Sequence, residues 1–173
     1  MAGRIFRSLM NILKFFYHTI IKLYESGDRM IENDTIKLLR ECDAGTKMGI
    51  KSISDVLDKV DSEDFRSILN DSKLRHEELE NEIQDELIRF KDDGKDPPMI
   101  LTEMSKLKTN IKIGLDKEDS TIAEIITDGC NMGVKSLNKY LNEYEAAEEF
   151  AKDITKKLIN TEERLAVDIR DYL

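Results

Sequence analysis

Four long stretches of this chain place apolar side chains at alternating gaps of three and four. No stretch alternates apolar and polar in the two-residue rhythm of a strand. The first row is Ile36, Leu39, Asp43, Thr46, Ile50, Ile53, Leu57 and Val60. The second is Phe65, Leu69, Ser72, His76, Leu79, Ile83, Leu87 and Phe90. The third is Ile122, Ile126, Cys130, Gly133, Leu137, Tyr140 and Tyr144, and the fourth is Phe150, Ile154, Leu158, Thr161, Leu165, Ile169 and Tyr172. Such gaps put every member of a row on one helix face, turned toward a partner. The rows predict helices over roughly 31–60, 62–92, 117–144 and 147–173.

Local punctuation agrees. Asp61-Ser62-Glu63 reads as a turn followed by a new helix cap. Asp92-Asp93-Gly94 stops the second helix, and Pro97-Pro98 starts the next segment. Residues 98–113 read as a shorter helix with Ile100, Met104, Leu107 and Ile111 apolar. Gly114 ends it, and Asp116 or Asp119 is placed to cap the next. The turn between the last two helices contains neither Gly nor Pro and is inferred from repetition.

The repetition is explicit. Met48-Gly49-Ile50-Lys51-Ser52 returns as Met132-Gly133-Val134-Lys135-Ser136, an offset of 84. Cys42-x-x-Gly45 returns as Cys130-x-x-Gly133, an offset of 88. Further on, Phe65 matches Phe150 at 85, and residues 79–87 match 165–173 at 86. The chain is therefore two matching helical hairpins. The two registers of the opening motif differ by four residues, about one helical turn, so both turn the same face inward and repetition alone does not choose.

Long seam helices, a short extra helix at the crossover, and the stretches "LLRECDAG", "KLKTNIKIG" and "GCNMG" resemble a bacterial family of ferritin-like four-helix bundles, a domain of unknown function. The resemblance covers residues 33–173. It implies an all-α fold, a ferritin-like four-helix bundle of two antiparallel hairpins with a short crossover helix, to which the sequence pattern adds an N-terminal amphipathic helix. It favours the Cys-x-x-Gly register. The chain divides into an N-terminal helix, 1–29, and a bundle, 30–173. Residues 1–29 lie outside the resemblance, and Met30 is a second candidate start of translation.

The N-terminal segment has its own pattern. Ile5, Leu9, Ile12, Phe16, Ile20 and Leu23 run beside Phe6, Met10, Leu13, Tyr17, Ile21 and Tyr24. The remaining strip, Arg4, Arg7, Asn11, Lys14, His18 and Lys22, is basic. Its charges make a poor transmembrane span. No small-residue cleavage site comes after it, which argues against a signal peptide. Glu25-Ser26-Gly27-Asp28 is expected to break the helix. Contact with a membrane surface or with protein through residues 5–24 is the partner this segment suggests.

Charge narrows the function classes. The net charge is −9. Residues 1–29 carry five Lys/Arg against two Asp/Glu, and residues 30–173 carry 22 against 34, so the body is acidic. That argues against nucleic-acid binding, which needs a basic footprint. Two Cys make no disulfide framework, and a reduced, cytoplasmic setting is expected, with attachment at the membrane periphery as the alternative.

Chemistry is thinly marked. Ferritin-like bundles that hold two metal ions take a Glu from each of two helices and a Glu-x-x-His from each of the others. Only His76 lies in the bundle here, and Lys73 stands three residues before it. Asp43 and Thr46, Ser72 and His76, Cys130, and Thr161 nevertheless fall at mid-bundle. One reading is a polar layer that fixes helix register, with Asp43 paired to His76. A second is a degenerate iron or manganese site using Asp43, His76, Glu162 and Cys42 or Cys130. A third makes Cys42 and Cys130 a redox pair. No nucleophile–base arrangement or phosphate loop stands out. The expectation is an interaction or structural protein, not an enzyme, without a cofactor and with homo-oligomerisation open. A metal-binding or oxidative-stress protein is the alternative.

Overall fold

The computed structural model describes residues 2–96 and 119–173; within the first helix, side chains are described for Lys14 and from Tyr17 onward. Helix α1 spans Ala2–Ser54 and is followed by a 3-10 turn at Leu57–Lys59. Helix α2 spans Glu63–Arg89, α3 spans Asp119–Glu143 and α4 spans Glu149–Asp168. A second 3-10 turn, Arg170–Tyr172, closes the chain. No strand occurs among the described residues. The described residues form an all-α bundle of four helices. The expected crossover helix at 98–113 lies outside the described residues.

One expectation fails. The break at 25–28 is absent, and α1 runs through it as one helix of 53 residues. A lone Gly inside a helix costs only about 1 kcal/mol relative to Ala, and this stretch has no Pro to remove a hydrogen bond. The next boundary is as expected: Ser62 caps α2, its hydroxyl accepting from the Phe65 amide at 3.3 Å. Asp119, read as a cap for its own helix, instead receives the backbone amides of Asp61 and Ser62 at 2.9 Å each. It fastens the start of α3 to the α1–α2 turn.

Pairings fix the helix directions. Gly49 faces His76, Asp43 faces Gln84, and Arg40 reaches Asp92, so α1 and α2 run antiparallel. Thr35 meets the Glu148 amide and Cys42 meets Thr155, both at a separation of 113 residues, so α1 and α4 run parallel. His76 meets Glu162 and Glu82 meets Lys157, which sets α2 antiparallel to α4. Asp119 places the start of α3 beside the α1–α2 turn, at the opposite end of the bundle from the end of α2.

The core has two apolar halves. One holds Leu38, Leu39, Leu79, Ile83, Leu87 and Leu158. The other holds Ile53, Val56, Phe65, Leu69, Ile126 and Leu165, with Phe65 stacked on Tyr172 at 4.4 Å between ring centroids. Fully burying each such side chain contributes on the order of 2 kcal/mol. Along α2 the change of half falls between Leu69 and Leu79; along α4 it falls between Ile159 and Leu165. His76 and Glu162 occupy those two intervals.

Candidate functional site

At the junction of the two halves, the fully buried imidazole of His76 approaches the carboxylate of Glu162. Its Nδ1 is 2.8 Å from the Ser72 carbonyl, and its Nε2 is 3.2 Å from Glu162 Oε1. A carbonyl only accepts, so Nδ1 carries a proton. A hydrogen bond from Nε2 to the carboxylate then requires a second proton on the ring, unless the carboxyl holds it. The pair shares one proton beyond neutral imidazole and carboxylate. Burial pulls the His76 pKa down, but the hydrogen bond and charge of Glu162, with the Ser72 carbonyl, outweigh it and raise it above the ordinary value. The Cys130 thiol lies beside the same carboxylate. Burial, then the Glu162 charge, raises that thiol far above its usual range.

Two glycines make the room. A Cβ on Gly49 would lie 2.8 Å from His76 Cδ2 and 2.9 Å from Nε2. A Cβ on Gly133 would lie 3.4 Å from the Glu162 carboxyl. Each hairpin thus sets a glycine of its first helix against the polar residue of its second. Gly49 and Gly133 are 84 apart, and His76 and Glu162 are 86 apart. The register is therefore that of Met-Gly, not the Cys-x-x-Gly register the resemblance favours. Cys42 and Cys130 are not equivalent: Cys42 bonds to Thr155 at 3.2 Å, across to the other hairpin, while Cys130 faces Glu162 of its own. In α2 and α4 the offset of 86 pairs Phe65 with Ala151, Leu69 with Thr155 and Leu79 with Leu165, all buried. Phe150, expected as the mate of Phe65, is only half-buried and packs near Phe90.

Asp43 does not join His76. It is fully buried, and its carboxylate receives Gln84 Nε2 at 2.6 Å, Lys47 Nζ at 2.9 Å and the Lys95 amide at 2.8 Å. The antiparallel register explains this, because the residue of α1 opposite His76 is Gly49, six positions or about 9 Å further along. Asp43 anchors the chain as it leaves α2, where Gly94 has a positive φ of 78° and lies against the carboxylate. Arg40 with Asp92 and Lys95 with Glu41 complete the clasp, at 2.7 and 2.6 Å.

The other candidates scatter. Thr161, read as a seam residue, turns out of the layer and bonds the Lys157 carbonyl at 3.0 Å on the exposed side. Glu162 takes the inward place. Cys42 and Cys130 are both free and buried, in opposite halves of the core, which separates them as a redox pair. Burial pushes the Cys42 thiol up to about 12. Ser72 Oγ and Thr127 Oγ1 are buried without a hydrogen-bond partner. Lys95 and Gln84 take parts in these networks that the sequence did not announce, while Ser72, read as a mid-bundle residue, contributes its carbonyl.

The donor set does not fit a two-metal carboxylate centre. His76, Cys130 and Glu162 are brought together, Asp43 is held elsewhere by its own partners, and Lys73 takes the place of the needed Glu, its ammonium 3.3 Å from Glu77. Among the described residues no three His, Cys, Asp or Glu side chains are arranged to hold a metal ion. A shallow groove of about 340 Å³ between α3 and α4 reaches Cys130 and Glu162 from the surface, past Val134, Ala166 and Arg170. Comparison with family models, curated proteins and solved structures finds no match.

Proposed function

We propose that this chain is a ferritin-like bundle serving as a structural or interaction protein, its mid-bundle polar layer used for helix register and not for chemistry. One observation carries the reading: the ionisable groups of the layer already face one another, with only the Ser72 hydroxyl left without a bond among the layer residues described. His76 uses both ring nitrogens, Glu162 receives His76, and Cys130 lies beside the same carboxylate. Buried polar groups satisfied in this way specify one helix alignment, because a slip would orphan them. The ferritin-like assignment is supported by the helix directions, which set the end of α2 and the start of α3 at opposite ends of the bundle, as a long crossover does in that class. The acidic balance of −9 turns away nucleic acid. Two free thiols suit a reduced, cytoplasmic setting.

Elemental analysis of the full chain purified after growth with iron and manganese tests the reading. The expected result is no stoichiometric metal, with His76→Ala lowering stability only. Stoichiometric iron or manganese, lost on His76→Ala, overturns it in favour of a metal-binding bundle.

A further inference from the structure

The N-terminal part of α1 leaves the bundle. From Tyr17 to Asn33 every residue except Gly27 is exposed, a projection of about 25 Å at 1.5 Å per residue. Tyr17, Ile20, Leu23 and Tyr24 are between 64% and 71% exposed, and Ile21 is 37% exposed. On a helical projection these five fall within an arc of about 160°, and Lys22 stands opposite its centre. The two apolar rows read in the sequence continue this arc back to residue 5. Helical propensity alone holds such an arm weakly in water; an amphipathic face is stabilised by what covers it.

Charge identifies the cover. Residues 1–24 contain four Lys/Arg and no Asp or Glu, while the acids begin at Glu25. The apolar stretch and the cationic stretch are thus the same stretch. A second arm alongside in parallel brings four cations against four. The acidic body offers attraction, but among its described residues the exposed large apolar side chains (Leu74, Ile88, Met132, Val167 and Leu173) are scattered and form no matching stripe. An anionic lipid surface supplies both needs: acyl chains for the apolar arc, and phosphate headgroups for lysines that reach out along their stems. We infer that residues 5–24 of α1 lie in the interface of an anionic phospholipid surface and hold the acidic bundle beside it. No described helix is long and apolar enough to cross a membrane, so the contact is with one face only. The inference stands apart from the polar layer and from the function proposed for it.

Flotation of the full chain with vesicles tests it, using phosphatidylcholine alone against phosphatidylcholine mixed with phosphatidylglycerol. The expected result is recovery with the mixed vesicles at low salt, weakened by added salt, and little with phosphatidylcholine. Lys14→Gln with Lys22→Gln is expected to weaken partition about thirtyfold, roughly fivefold per cation at about 1 kcal/mol each. Ile20→Asp with Leu23→Asp abolishes it, and because both side chains are exposed, circular dichroism stays that of the parent. Equal recovery with both vesicle types, or none with either, overturns the inference. So does a doubled mass by light scattering that Ile20→Asp with Leu23→Asp reverts to the single chain, without flotation, since the cover is then a second copy.

Discussion

Gly49 and His76 compete for one volume: a methyl group on the glycine would sit 2.8 Å from the imidazole Cδ2. The ring is fully buried and bonded at both nitrogens, so it does not yield cheaply. Overpacking of this kind costs about 1–3 kcal/mol. Ala gains about 1 kcal/mol over Gly in a helix, which offsets part of that. Gly49→Ala is expected to lower stability by a net of up to about 2 kcal/mol in urea denaturation. Gly129, with nothing within 4 Å of its missing Cβ, is the control. Gly129→Ala is expected to raise stability by up to about 1 kcal/mol. Equal shifts for the two would remove the steric account of Gly49.

Stability is expected to fall as pH rises above the ordinary imidazole range. The folded state holds the His76 proton more tightly than the unfolded chain, because the imidazolium faces Glu162. The contribution is complete below the ordinary value of 6.5 and fades as pH rises through the raised folded value. Denaturation midpoints measured from about pH 6 to pH 9 should slope downward, and Glu162→Gln or His76→Gln should flatten the slope. A parent profile as flat as those of the variants would argue that the pair is neutral throughout.

Asp43 is expected to control how the chain leaves α2. Its carboxylate holds Gln84 from the helix and the Lys95 amide from the segment after it. Asp43→Asn keeps the shape but removes the charge and turns one acceptor into a donor facing donors. The cost is expected to be about 1–3 kcal/mol. Trypsin should cut faster at Lys91 and Lys95 than in the parent, while cleavage around Lys157 changes little. Unchanged rates at Lys91 and Lys95 would show that Gly94 and the Arg40–Asp92 pair suffice.

Neither thiol is expected to behave as a nucleophile in the fold. With the Cys42 thiol near 12, only about one molecule in ten thousand carries its thiolate at pH 8. Cys130 is raised further by the charge of Glu162. Iodoacetamide followed by intact mass should leave both unmodified in the native protein and label both in urea. Fast native labelling of Cys130, which borders the α3–α4 groove, would show that the layer opens to solvent.

The row from Phe65 to Leu87 was legible residue by residue, because α2 buries one stripe and the spacing of three and four encodes a stripe directly. Helix α1 was less legible. It touches α2, α3 and α4, so its buried set spreads to Thr35, Leu38 and Cys42, while Ile36, Ile50 and Leu57 are only partly covered. His76 and Cys130 were visible as polar residues at apolar positions, whereas Asp43 and Thr161, read with them, lie outside the layer. Their partners were not, since pairing depends on register between helices, and one turn of slip separates the two readings of the repeat. The inward placement of Glu162 over Thr161 turned on one residue of phase in α4.

Because α1 has no joint between Tyr24 and Gly49, those residues are ends of one stiff rod about 38 Å apart. A rod transmits torque as well as pull. Between the two ends the buried Thr35, Leu38, Leu39 and Cys42 grip the rod. A load on the exposed end is therefore taken up by these turns, as by a clamp, before it reaches Gly49.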